Sequence, residues 1–189
     1  MRLILASQSP RRQEIMRVAG YNCEIIPANI DEKTIRSDDY EKLPLLIARA
    51  KAQHVAQNVD DAVIIAADQV IVWNGELREK PESNEQAFNW LCHYSLHPAR
   101  VINGIYVLNT NTNRSAEAVE KSQCYFRKIP GKVAQALVEK GEMLDAAGGY
   151  KVDNPDLKPY IRKIDGHINS FKGLPLPTLE KLLAQVGYQ

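Results

Sequence analysis

Residues 63–67 constrain the fold more than any other part of this chain, because they form the run Val-Ile-Ile-Ala-Ala. An apolar run without alternating polar side chains is typical of a β-strand that is covered on both faces, as in a parallel sheet flanked by helices. A second apolar segment, residues 70–73, leads into Asn74-Gly75, which is a strong signal for a hairpin turn. The sequence therefore predicts a central buried strand followed by a hairpin.

Helical and strand patterns alternate along the rest of the chain. After an N-terminal strand, the patterns predict a helix that begins near Ser9 and ends at Gly20, and further helices at residues 43–57, 84–94, 130–140 and 176–186. They predict further strands at residues 23–26, 100–108, 117–126 and 160–164. This alternation predicts an α/β fold over residues 1–189 as one domain, with a mixed twisted sheet and two lobes around a central cleft.

The stretch 3–12 predicts an apolar strand, a tight polar turn and the start of a helix. Ser9 suits the N-cap position and Pro10 the first helical position. Arg11 and Arg12 then lie in the first turn, where the helix dipole mildly disfavours cations. Two guanidinium groups beside free backbone N–H groups indicate a phosphate-binding site. Two solvated arginines on a surface helix fit the local pattern equally well.

Asp68 interrupts an otherwise apolar segment. A carboxylate in such a segment is destabilising unless it meets a cation, a metal ion or hydrogen-bond donors. Because the carboxyl ends of parallel strands line the ligand crevice, Asp68 is a candidate metal ligand or general base, with backbone capping as the alternative. Gln69 can reach the same ligand only if the chain bends, since consecutive strand residues point to opposite faces.

Three further charged residues are candidates for the same site. Lys51 falls in a four-residue stripe of the predicted helix with Leu43, Ile47 and Val55, so its ammonium group either snorkels outward or reaches inward to an acidic ligand. Lys80 precedes a proline just after the hairpin, and Glu32 follows a short predicted strand. Alone, Lys80 is an ordinary loop lysine, and Glu32 either completes a metal site or belongs to a solvated turn.

Composition excludes several classes of function. The net charge of +1 argues against a dedicated nucleic-acid binder, so any anion site must be local. The apolar runs are too short to span a bilayer, and no P-loop motif is present. Three scattered cysteines without metal-ligand spacing are typical of reduced thiols in a cytoplasmic protein, and the four histidines suggest no site.

Taken in order, seven motifs resemble those of the Maf-like nucleoside triphosphate pyrophosphatases over nearly the whole chain. The first, Leu5 to Arg12 (LASQSPRR), is quite specific, and the ordered set is far more so. The others are Asp31-Glu32, Ala50-Lys51-Ala52, Ala67-Asp68-Gln69-Val70, Lys80-Pro81, Ala147-Gly148-Gly149-Tyr150 and Gly173-Leu174-Pro175-Leu176.

The resemblance implies a Maf/HAM1 (ITPase-like) fold and hydrolysis of a nucleoside triphosphate to its monophosphate and pyrophosphate. It also implies dependence on a divalent metal cation, Mg or Mn, and is compatible with a homodimer. Position by position, Glu32 would bind the metal, and Asp68 would be the catalytic carboxylate and a metal ligand. The triphosphate would be held by Ser7, Arg11, Arg12, Lys51 and Lys80.

Asp68-Gln69 resembles the subgroup that acts on 7-methyl-GTP, whereas members with Asp-Thr resemble dTTP/UTP hydrolases. Gln69 and Asp153 are accordingly substrate-binding candidates, since an acidic side chain can pair with a cationic methylated purine. Two positions depart from that subgroup: Arg11 stands where tryptophan is usual, and Asp153 where glutamate is usual. Leu96, Asn103 and residues 154–159 depart from the wider family, and they would alter the substrate preference if they line the base pocket.

The sequence thus predicts a 7-methyl-GTP pyrophosphatase. The alternatives are a dTTP/UTP pyrophosphatase of the same family and a weakly active nucleotide-binding regulator of cell division. Nucleic acid and membranes are not expected partners.

Overall fold

A computed structural model describes residues 1–188. Apart from the central strand, each helix and strand predicted from the sequence is present with boundaries shifted by at most a few residues, and the α/β prediction is confirmed. The helices are α1 (Pro10–Val18), α2 (Leu43–Ala56), α3 (Asn84–His93), α4 (Gly131–Glu139) and α5 (Leu176–Gln185). The strands are β1 (Arg2–Leu5), β2 (Glu24–Ile25), β3 (Ala62–Trp73), β4 (Glu76–Arg78), β5 (Ala99–Asn109), β6 (Arg114–Phe126) and β7 (Ile161–Asp165).

The strands form a mixed sheet in the order β2-β1-β3-β5-β6-β7, with β4 paired to β3. β1 runs parallel to β2 and β3, whereas β3–β4 and β6–β7 are antiparallel. The mixed sheet predicted from the sequence is therefore confirmed. Both central residues of the β3–β4 hairpin have positive φ, 49° at Asn74 and 82° at Gly75, as this dipeptide predicts.

One prediction about β3 was wrong. The sequence indicated two segments, residues 63–67 and 70–73, but β3 is one continuous strand from Ala62 to Trp73. Asp68 and Gln69 therefore remain in extended backbone inside the strand. The charge of Asp68 does not interrupt the strand because a buried cation contacts it, as described below.

The chain divides into two compact units. The first comprises Met1–Gln69, Asn103–Glu120 and the segment from Lys172 onward, and the second comprises Val70–Ile102 and Lys121–Phe171. The cleft between them stays a prediction.

In the first unit, side chains cover both faces of the sheet, which explains the uninterrupted apolar run in β3. On one face, Val63 and Ile65 pack with residues of α1 and α5, including Met16 and Leu182. On the other face, Ile64 and Ala66 of β3 pack with Ala48, Ala52 and Val55 of α2. The same cluster contains Ile4 of β1. Each fully buried aliphatic side chain of this kind stabilises the fold by about 1.5–3 kcal/mol.

The second unit has an aromatic core. Tyr94, Phe126 and Tyr150 lie with ring centroids 5.1–5.2 Å apart, and Ile71 and Trp73 of β3 belong to the same cluster. Tyr150 follows the double glycine of the sequence motif, and its side chain is buried in this packing.

Gly104 is the point of closest approach between β5 and α2. A Cβ atom there would lie 2.2 Å from the backbone nitrogen of Leu45, which cannot move without displacing the helix. We expect Gly104→Ala to lower the free energy of unfolding by about 3 kcal/mol or more, measured by denaturant titration. Gly75→Ala is the control, since a Cβ there has no neighbour within 4 Å and only the positive φ opposes it, at about 1–2 kcal/mol. Equal losses in the two variants would contradict the close-approach explanation.

Candidate active site

The buried ammonium group of Lys51 joins two carboxylates. Its Nζ lies 2.9 Å from Oε1 of Glu32 and 2.9 Å from Oδ1 of Asp68. The exposed fractions of the three side chains are 7% for Lys51, 12% for Asp68 and 47% for Glu32. Lys51 therefore does not snorkel outward, which was one of the two alternatives left by the sequence. The structure brings together three of the predicted site residues.

Local periodicity explains why these groups meet. Lys51 shares its stripe on α2 with apolar residues, so its stem is carried inward toward the sheet. Ile64 and Ala66 pack in the same cluster as α2, and alternate residues of a strand share a face, so Asp68 points toward α2. Glu32 begins a short 3-10 helix whose N-cap is Asp31, and the Asp31 side chain accepts a hydrogen bond from the backbone N–H of Lys33.

Arg12 is buried beside the loop that follows β1. Its Nε donates to the carbonyl oxygen of Gly173 at 2.9 Å, and its Nη1 donates to Oγ of Ser7 at 3.3 Å. Gly173 has φ +91°, and a Cβ there would lie 3.1 Å from the Arg12 Nε, so the absence of a side chain lets the carbonyl approach the guanidinium. Ser7 and Arg12, both predicted phosphate ligands, are thus in contact.

The predicted start of α1 is confirmed, although the Ser9 side chain is not the group that makes the hydrogen bond there. Ser9 occupies the N-cap position and Pro10 begins the helix, but the Ser9 side chain makes no capping hydrogen bond. Instead, Oγ of Ser7 accepts a hydrogen bond from the Ser9 backbone N–H at 3.2 Å. The hydroxyl of Ser7 therefore satisfies the backbone N–H of the cap residue, whereas a capping side chain would accept from the N–H of the second or third helical residue.

Burial and charge oppose each other in this cluster. Burial raises the pKa of Asp68, while the positive charges of Lys51 and Arg12 favour its ionised form and Glu32 disfavours it. Burial lowers the pKa of Arg12, while the charges of Asp68 and Glu32 favour the protonated guanidinium. Desolvation is the largest cause in both cases. With all four groups ionised, two cations balance two carboxylates.

Gln69 is oriented by a residue that sequence reasoning did not select as a ligand. Its Nε2 donates to Oδ1 of Asn103 at 3.2 Å, and Asn103 is fully buried in β5. Because β3 is continuous here and consecutive strand residues alternate, Asp68 and Gln69 point to opposite faces of the strand. The only signal for Asn103 in the sequence was its departure from the family's threonine, and the signal for Gly173 was its motif.

The remaining predicted residues lie elsewhere. Arg11 is half-buried on α1, next to Arg12. Lys80 and Asp153 are exposed residues of the second unit, Lys80 just after β4 and Asp153 in a turn before residues 154–159. The predicted roles of all three in substrate binding stay predictions.

The donor set fits a divalent cation. Glu32 and Asp68 provide carboxylate oxygens, the ligands that Mg²⁺ and Mn²⁺ prefer, and both already face one small cationic group. Within residues 1–188, no group of three or more His, Cys, Asp or Glu side chains is arranged to hold a metal ion. Further ligands would therefore come from water or substrate oxygens, as is usual for Mg²⁺.

Cys23, Cys92 and Cys124 are free thiols, as expected. Across the part of the chain that the structure describes, none of the helices has the length and apolar character needed to cross a bilayer.

Comparison with known proteins identifies relatives that extend over the whole chain. The family described as Maf-like protein matches residues 2–186. A "7-methyl-GTP pyrophosphatase" of Dictyostelium discoideum is 33% identical, over 98% of this chain and 97% of the relative. A "dTTP/UTP pyrophosphatase" of Dehalococcoides mccartyi is 34% identical, over 98% of this chain and 83% of the relative. A solved HAM1 protein from Coxiella burnetii has 15% identity and a TM-score of 0.44, and covers 69% of this chain and 75% of its own.

Proposed function

The chain belongs to the Maf-like protein family, and we propose on this premise that it is an enzyme that hydrolyses a nucleoside triphosphate to its monophosphate and pyrophosphate. One observation carries the proposal beyond family membership: Glu32 and Asp68 converge on the buried ammonium of Lys51. Full-length relatives are named as pyrophosphatases of this type, which supports the same activity.

Charge balance explains why such a site would act on a metal–nucleotide complex. The four ionised groups Arg12, Lys51, Glu32 and Asp68 sum to no net charge, whereas a triphosphate carries several negative charges. A divalent Mg or Mn ion held by Glu32 and Asp68 would supply the missing positive charge and polarise phosphate oxygens and water. The second phosphate-binding element is the loop after β1, where Ser7 and Arg12 are already in contact.

The proposed site residues divide into a catalytic carboxylate and a set of phosphate-binding groups. Asp68 orients the attacking water and accepts its proton, a role for which a pKa raised by burial is suited. Lys51, Arg11, Arg12 and Lys80 bind the phosphate oxygens and stabilise the charge that develops on the leaving pyrophosphate, with Ser7 donating a hydrogen bond.

For the substrate, we propose 7-methyl-GTP. The Asp68-Gln69 pair and the Dictyostelium relative support this choice, and the exposed carboxylate of Asp153 offers a partner for the positive charge of a methylated purine. The second candidate is dTTP or UTP. Arg11 favours this candidate, since it stands where the 7-methyl-GTP subgroup tends to have tryptophan. Relatives of similar identity that are named for dTTP and UTP also favour it.

A nucleotide panel tests both levels of the proposal. We expect purified protein with Mg²⁺ or Mn²⁺ to release pyrophosphate from 7-methyl-GTP with kcat/KM about 10-fold or more above that for GTP, dTTP, UTP and CTP, since one charge-paired contact discriminates by about 1–3 kcal/mol. Preference for dTTP or UTP would retain the reaction and overturn the substrate. Binding without turnover of any nucleotide would contradict the enzymatic proposal and favour a regulatory protein.

A further inference from the structure

Lys80 lies in a segment whose two neighbouring residues are both fixed. The carbonyl oxygen of Glu79 accepts a hydrogen bond from the backbone N–H of Gly148 at 2.9 Å. On the other side, Pro81 is buried, and its ring lies beside Gly149. A residue that precedes proline is also confined to extended backbone. The backbone of Lys80 is therefore held, while its side chain is exposed to solvent.

The two glycines make this contact possible. Gly148 has φ +72° and Gly149 has φ +65°, a backbone region that residues with a side chain rarely adopt. A Cβ on Gly149 would lie 3.4 Å from Cγ of Pro81 and 3.4 Å from Cε3 of Trp90. The loop is fixed in turn by the hydroxyl of Tyr94, which donates to the Gly148 carbonyl oxygen at 2.6 Å.

A third anchor lies on the N-terminal side of the segment. Arg78 is only 4% exposed, and its guanidinium carbon lies 3.9 Å from the ring centroid of Trp73, 4.9 Å from that of Tyr94 and 5.1 Å from that of Trp90. Cation–π contacts of this kind stabilise a desolvated guanidinium. The backbone is thus fixed at residues 78, 79 and 81, and the side chain of Lys80 projects into solvent.

We propose that Gly148 and Gly149 are positioning residues that set Lys80 for binding the phosphate chain. This inference rests on the proposed function, in which Lys80 binds phosphate oxygens. A lysine side chain is flexible and loses rotamer entropy when it binds, so a backbone fixed in advance lowers the remaining cost of ordering. The motif Ala147-Gly148-Gly149-Tyr150 thereby acts on Lys80 through its backbone, without touching the substrate.

The first test replaces Gly149 with valine and uses Gly141→Val as the matched control. Gly141 belongs to the same unit and has a similar φ of +72°, but a Cβ there has no neighbour within 4 Å. We expect Gly149→Val to weaken binding of inorganic pyrophosphate and to raise KM on the order of 10-fold, with a smaller change in kcat. Gly141→Val should keep both values near wild type. Equal behaviour of the two variants would overturn the inference.

A double-mutant cycle shows whether the glycine acts through Lys80. If it does, adding Gly149→Val to Lys80→Ala should cause no further loss of pyrophosphate affinity. Losses that multiply would assign Gly149 a purely structural role and overturn the inference. If Gly149→Val does not fold in a thermal unfolding experiment, Pro81→Ala replaces it in the cycle. This variant removes the proline ring that lies beside Gly149, so it should likewise cause no further loss of pyrophosphate affinity in Lys80→Ala.

Titration calorimetry with pyrophosphate keeps this inference distinct from the activity itself. A wild-type protein that binds pyrophosphate but releases none from any nucleotide would refute the proposed function and leave the cycle measurable. A Lys80→Ala variant that binds pyrophosphate as tightly as wild type would refute the positioning inference, whatever the activity.

Discussion

Asp68→Asn is expected to lower kcat for pyrophosphate release by about 10²- to 10⁴-fold, the range typical for loss of a general base. Asparagine has nearly the same shape and retains an oxygen that can accept the hydrogen bond from Lys51, which lies 2.9 Å from the carboxylate. The substitution therefore removes the charge and the proton acceptor while preserving the packing. Steady-state kinetics on the preferred nucleotide, with thermal unfolding of both proteins, measures the effect.

Asp60→Asn serves as the control for Asp68→Asn. Asp60 is exposed in the loop before β3, so its substitution makes the same change in net charge at a position outside the cluster. A kcat near wild type for Asp68→Asn would show that the catalytic assignment is wrong. Recovery of the Asp68→Asn variant to near wild-type kcat at high Mn²⁺ concentration would show that the carboxylate acts through the metal and would contradict its role as the base.

Lys51→Met is expected to have two opposite effects. The first is a loss of kcat/KM on the order of 10²-fold, because a buried cation that stabilises phosphate charge is removed. The second is an increase of about 10-fold or more in affinity for Mn²⁺ measured without nucleotide. Lys51 now neutralises Glu32 and Asp68, so its removal leaves two carboxylates without their shared counter-ion. Calorimetric or paramagnetic Mn²⁺ titration measures the second effect.

Lys42→Met is the matched control for Lys51→Met, since Lys42 is exposed and forms a surface ion pair with Asp39. We expect it to change neither Mn²⁺ affinity nor kcat/KM. Removal of one partner from a buried ion pair typically lowers stability by about 3–5 kcal/mol, so unfolding is measured with and without Mn²⁺. Weaker Mn²⁺ binding in Lys51→Met would contradict competition between the ammonium and the metal ion.

If both outcomes hold, Lys51 would link the metal to the substrate. The ammonium group would leave the carboxylates when the metal–nucleotide complex binds and would then contact phosphate oxygens. Metal alone would bind weakly in the wild type, because each carboxylate is already engaged with the same cation. This would favour joint entry of metal and nucleotide.

Local sequence patterns were sufficient for most of the secondary structure. The run at residues 63–67 indicated a strand covered on both faces, and the structure buries all five side chains. Asn74-Gly75 indicated a hairpin, and both residues have the positive φ that this turn requires. These signals are local because side-chain periodicity and turn chemistry act within a few residues of the chain.

The sequence by itself also indicated which charged residues were unusual. Asp68 was selected because a carboxylate in an apolar run needs a partner, but the sequence did not identify that partner. The polar residues at this point also wrongly indicated a break in β3. Lys51 was left with two alternatives because helix periodicity gives its direction but not its burial.

Only the tertiary structure decided the partners. Lys51 meets Asp68 across 17 residues of sequence, and Arg12 meets Gly173 across 161 residues. These contacts depend on which helix covers which face of the sheet and on where a glycine allows close approach, and no local pattern encodes either. The same holds for the Glu79–Gly148 hydrogen bond beside Lys80. The sequence determined which residues need a partner, and the packing of distant elements determined which partner each one meets.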